Sequence, residues 1–138
     1  MPYHHESLGM PEDEANVLIA RVRQSIGEHT TQALRGVIGD LAPAYAVVGL
    51  AIRESPFPEL PDTVALVRQS YRLQCAADGM MYQLAFCRAA RDLGLHVHVF
   101  RRSEEIAQTA ARPSGPPWTR EHRRAFAAGL AALQRHHG

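Results

Sequence analysis

The chain has 138 residues, 46% apolar and 21% charged, with 15 basic residues (all arginine, no lysine) against 14 acids for a net charge of +1. One globular domain of ordinary size fits these values, which exclude a disordered, fibrous or low-complexity chain. No apolar stretch approaches the 18 or so residues of a membrane-spanning helix, and residues 1–10 lack the basic-then-apolar layout of a secretion signal, so no membrane partner is expected.

Two cysteines, Cys75 and Cys87, cannot build a disulfide framework, so a reducing, cytoplasmic setting is expected. Arginine without lysine, together with 21 alanines, reads as the codon usage of a GC-rich genome. Charge is nonetheless uneven. Residues 1–54 hold four arginines and seven acids, a net −3, and residues 55–138 hold eleven and seven, a net +4. An anionic partner is therefore sought in the second half.

Residues 1–10 carry no clear element and are expected to be flexible, as are 136–138. Pro11 followed by Glu12, Asp13 and Glu14 marks a helix start. Ala15, Leu18, Ile19, Val22 and Ile26 form its apolar stripe. Gly27 to Thr31 is a weak point, after which Leu34, Val37, Ile38 and Leu41 continue the stripe until Pro43. The unbroken apolar run from Ala44 to Ile52 then reads as a strand covered on both faces, spanning 44–54 with its polar end. Pro56, Pro58 and Pro61 stiffen the following loop, and Asp62 is the expected cap of the next helix.

Residues 63–93 read as helix almost throughout. At 1.5 Å per residue that is about 45 Å, long for a domain with a radius of gyration of about 14 Å. A bend within Tyr71–Gly79 is therefore expected. Gly94 ends the helix, and 95–101 is a second strand. A short helix over Ser103–Ala111, a Pro113–Pro117 turn and a last helix capped by Thr119 complete the chain. The expected fold is α/β in a single domain, 1–138. It has a small parallel sheet of at least two strands (44–54 and 95–101), a right-handed strand–helix–strand crossover and helices at both termini. Two strands are too few for a free-standing sheet, so either residues 1–10 add a strand or another subunit covers the sheet and helices.

The middle helix carries two apolar stripes. Leu73, Ala76, Ala77, Met80, Leu84 and Cys87 form one, and Tyr82, Phe86, Ala89 and Leu93, in line with Tyr71, form the other. A helix apolar on two faces is central in a larger core or shared with a partner, so Tyr71, Tyr82 and Phe86 are the candidate interface of a homodimer. Cys75 and Cys87 are about 18 Å apart along that helix and are expected to be buried, inert thiols.

His96-Val97-His98 puts two imidazoles on one strand face, a metal pair if a third ligand such as Glu54 joins them. Arg53 and Glu54 end the first strand and Arg101 and Arg102 the second. Ligands of open parallel sheets bind beyond such ends. The last helix opens Thr119-Arg-Glu-His-Arg-Arg124, with arginines set against the helix dipole. Phe126, Gly129, Leu130 and Leu133 are its expected buried side, with His122 turned toward the sheet and Arg120 and Arg124 outward. No phosphate-binding glycine loop, nucleophile elbow or Cys-x-x-Cys pair occurs.

Four segments follow one another in a familiar order: Val47-Val-Gly-Leu-Ala-Ile-Arg-Glu54, Ala76-Ala-Asp-Gly79, Leu95 to Phe100, and Gly115-Pro-Pro-Trp-Thr-Arg-Glu-His122. From residue 15 onward this order resembles the second half of RNase H-like nucleases, in particular RuvC-type resolvases. The resemblance implies Glu54 as a strand-end catalytic carboxylate, His122 or Glu121 as its partner on the last helix, and a divalent metal as cofactor. The chain has no room for that family's first three strands, and Ala125 stands where an acid would be expected. These departures point to a binding or degenerate form.

The expected function is therefore binding or accessory work on an anionic partner, nucleic acid first, with Arg53, Arg101, Arg102, Arg120 and Arg124 as contacts. A metal-dependent nuclease-like hydrolase using Glu54 and His122, and a protein–protein adaptor using the Tyr82/Phe86 face, are the alternatives.

Overall fold

The computed structural model describes residues 2–100 and 119–137. In chain order it comprises α1 (Tyr3–Glu6), α2 (Glu12–Leu41), β1 (Gly49–Arg53), α3 (Val64–Val67), α4 (Tyr71–Asp92), β2 (His96–Phe100) and α5 (Arg120–His137). The expected helix Ser103–Ala111, the Pro113–Pro117 turn, Arg101 and Arg102 lie outside the described residues.

Acids at Glu12, Asp13 and Glu14 favour the start of α2. The helix then runs unbroken through the expected weak point at Gly27–Thr31. Thr31 Oγ1 donates to the Gly27 carbonyl at 2.9 Å, and Thr30 is buried. Packing decides this stretch against propensity: Ile19 and Ile26, both just N-terminal to it, dock on Met81 and Ala85 of α4. Tyr3, Val22 and Val64 close the rim of that core.

β1 and β2 pair in parallel, from Gly49 opposite His96 to Arg53 opposite Phe100. β1 is shorter than the apolar run predicts. Residues 44–48 lie outside the strand, since the ladder can extend only as far as β2 offers partners. Tyr45 is 68% exposed in consequence. Gly49 is required at the start of the ladder, because a Cβ there would lie 2.8 Å from the His96 carbonyl oxygen.

The helical stretch over 63–93 breaks at 68–70, before the expected bend. Thr63, not Asp62, caps α3, its hydroxyl accepting from Leu66 N–H at 3.3 Å. The Arg68 carbonyl at the break accepts from Gln74 Nε2 at 2.8 Å, so a side chain of α4 supplies the bond that a continuous helix would have made. α4 then continues through Gly79, where the Phe57 ring fills the missing side chain's place: a Cβ would meet its Cε1 at 2.8 Å.

Gly94 ends α4 as the sequence predicts. It takes φ +73°, and Gly94 N–H and Leu95 N–H donate to the carbonyls of Arg91 and Ala90, both at 2.9 Å. Gly94→Ala is expected to lose about 1 kcal/mol in urea unfolding, the cost of forcing a side chain into left-handed backbone. An unchanged midpoint would contradict this assignment.

The faces of α4 differ from the predicted stripes. Ala76, Ala77 and Cys87 are buried, but Leu84 is 48% exposed, and Gln74, Asp78, Met81 and Ala85 face inward instead. Hydrophobic periodicity missed that face because two of its members are polar. Cys75 is exposed, contrary to expectation, and Cys87 is buried. No described helix is long and apolar enough to cross a membrane.

Candidate functional site

Parallel pairing brings Arg53 and Glu54 to the same edge as the end of β2. Glu54 N–H donates to the Phe100 carbonyl at 2.8 Å, and both Arg53 and Glu54 are exposed. α5 packs against β1. Its first turn is capped by Thr119, whose Oγ1 accepts from His122 N–H at 3.4 Å and lies 2.7 Å from His122 Nδ1. His122 is thus exposed at the helix start and tied to Thr119. Arg123 is exposed and Arg124 half-buried, and Arg120 opens the helix. The inward side of α5 is formed by Ala127 and Ala128, not by the predicted Phe126 stripe: Phe126 is 38% and Leu133 43% exposed. Two alanines let the helix approach more closely than Phe126 and Leu133 would.

Beside α5, a groove of about 610 Å³ runs along the sheet, lined by His96, His98, His136, Tyr45, Phe126 and Leu130 among others. The His96 and His136 rings meet with centroids 4.7 Å apart. His98 Nε2 is buried and has no hydrogen-bond partner among the described residues. Among the described residues no group of three or more His, Cys, Asp or Glu is arranged to hold a metal ion, so the third ligand sought for His96 and His98 is not found there.

The densest polar cluster is one the sequence did not disclose. α1 lies on the first half of α4. There His4 Nδ1 pairs with Asp78 Oδ1, with side-chain exposures of 4% and 11%. Tyr3 N–H donates to the other carboxylate oxygen. Ser7 Oγ donates to the His4 carbonyl at 2.7 Å, and His5 Nδ1 lies 3.1 Å from Gln74 Oε1. The His5 ring stands edge-on to Tyr71 at 5.8 Å. Residues 3–6, expected to be loose or to add a strand, are instead a helical turn held by these contacts. A carboxylate with both oxygens engaged satisfies the rule that buried charge is paired. No periodic pattern announces it, because its members are 74 residues apart.

The interface candidates sit on the same helix. Tyr71 is 60%, Tyr82 41% and Phe86 39% exposed. The Tyr3 side chain bonded to Tyr82 pushes its phenol above the ordinary value, helped by partial burial and by Tyr3 and Asp78 charge. Cys75 raises Tyr71 in the same way.

His4 also lines a cleft of about 960 Å³ between α2 and α4, closed on one side by the loop and turn at 60–64. With these sites described, comparison with family models, characterised proteins and solved structures found no match to this chain.

Proposed function

We propose that this protein is a binding or accessory protein for an anionic partner, with nucleic acid as the first candidate, and that it works as a homodimer. The observation carrying the first part is the composition of α5. Its 18 residues hold Arg120, Arg123, Arg124 and Arg135 against the single acid Glu121, and add His122, His136 and His137. Arginines in the first turns oppose the helix dipole and lower helix stability by a few tenths of a kcal/mol each. A bidentate donor fork for phosphate oxygens gives them a use. Arg53, Arg101 and Arg102 are further candidate phosphate contacts in this reading. A right-handed crossover between β1 and β2, as in RNase H-like folds, belongs to it as well.

Arg120→Ala combined with Arg124→Ala tests the assignment. Loss of two phosphate contacts is expected to reduce affinity for duplex DNA or RNA and to flatten the log–log salt slope by about 1.8, at about 0.9 per contact. A variant with wild-type affinity and slope would contradict it.

The dimer rests on an imbalance of apolar surface. Among the described residues, eight of the fourteen buried apolar ones are alanine, while fourteen large apolar side chains are exposed, Tyr71, Tyr82 and Phe86 among them. Apolar area left in water on one helix face favours association at about 25 cal/mol per Å². Tyr82→Ser with Phe86→Ser is expected to yield a monomer in sedimentation velocity. A wild type that is itself monomeric at high concentration, or an unchanged oligomer in the variant, would refute the proposal.

A further inference from the structure

The α2–α4 cleft has the size of a small-molecule site and a built polar floor. Its 960 Å³ or so falls in the range of ligand pockets. His4 is 3% exposed, and its Nδ1 is taken by Asp78. Its other ring nitrogen, Nε2, makes no hydrogen bond to any described residue, and the ring lines the cleft. Asp78 therefore fixes which nitrogen is presented, as carboxylates do for working histidines. Met80, Met81 and Leu84 supply an apolar wall. Arg23 and Arg35 from α2 and Arg88 from α4 line the same space, with no ion-pair partner among the described residues.

The acids of the cleft narrow the ligand class. Glu28 accepts from Gln24 Nε2 at 2.9 Å, whereas Asp62 and Asp92 have no partner among the described residues. Unpaired groups of both signs over an apolar wall suit a ligand that carries both signs. We propose that this cleft binds a small zwitterion with an oxyanion, an ammonium group and an apolar body. The oxyanion meets the arginines, the ammonium meets Asp62 or Asp92, and His4 Nε2 hydrogen-bonds a polar atom of the ligand. This site is separate from the basic helix α5 and stands whether or not that helix binds nucleic acid.

Free O-phosphotyrosine is the probe, with its deamino analogue, 3-(4-phosphonooxyphenyl)propanoate, as the counterpart that lacks only the ammonium. Calorimetry on the whole chain is expected to give saturable O-phosphotyrosine binding, with the His4 ring signals moving in NMR. The deamino analogue, and O-phosphotyrosine on Arg35→Gln/Arg88→Gln, are each expected to bind at least about tenfold more weakly, the scale of one charge-assisted contact. Both arginines are exposed, so the variant should keep the wild-type circular dichroism and thermal midpoint. Absence of saturable binding, equal affinity for the deamino analogue, or an unaffected double variant would each overturn the proposal.

Discussion

Asp78→Ala is expected to destabilise the fold by about 3 kcal/mol, at the upper end of the range for leaving a buried hydrogen-bonding group without its partner. The mutation leaves His4, 3% exposed, without its carboxylate and strips the Tyr3 amide of its acceptor. An unpaired buried donor carries the full desolvation cost. The loss is capped because α1 is only four residues long and can undock, exposing Tyr3 from the rim of the core. Asp78→Asn retains one acceptor oxygen and should cost less. Urea unfolding with limited proteolysis measures both effects: a lower midpoint together with new cleavage within residues 2–8 is expected. A midpoint within experimental error of wild type would show that the pair contributes nothing net.

Ile19→Ala is expected to cost a similar amount, about 3 kcal/mol, within the range for truncating a fully buried branched side chain. Ile19 is 2% exposed and packs with Ile26, Met81 and Ala85. The core between α2 and α4 holds few large side chains, so no neighbour is positioned to collapse into the space. Against a total stability of about 5–15 kcal/mol for ordinary domains, that loss is severe. Val37→Ala, 54% exposed on the same helix, serves as the control and should change the midpoint little. Equal effects from the two substitutions would contradict the placement of the core.

These two sites show what the sequence could and could not disclose. The parallel strand pair was legible because Ala44–Ile52 and Leu95–Phe100 are short apolar runs bounded by breakers, and Gly94 carries its own conformational signature. The true extent of β1 was not, since ladder length is set by the partner strand. Hydrophobic periodicity does not reveal the inward face of α4, because Gln74 and Asp78 belong to it, and polar residues enter a core only when partners elsewhere in the chain satisfy them. Those partners, His5 and His4, lie in a segment with no periodicity at all. For the last helix the wheel marked the Phe126 side as apolar, but close approach favoured Ala127 and Ala128. Strand polarity alone puts Arg53 and Glu54 at the same edge as the end of β2, while Arg101 and Arg102, expected to gather there with them, lie outside the described residues.

In the proposed function the arginines of α5 engage a polyanion. The most direct test is the affinity of the wild-type chain for duplex DNA and for RNA, followed by fluorescence anisotropy from low to physiological salt. Contacts from the arginines of α5 predict binding that weakens steeply, with a log–log slope of about −3 or more negative if at least three or four phosphates are neutralised. Binding that is absent even at the lowest salt, or that does not change with salt, would contradict the account.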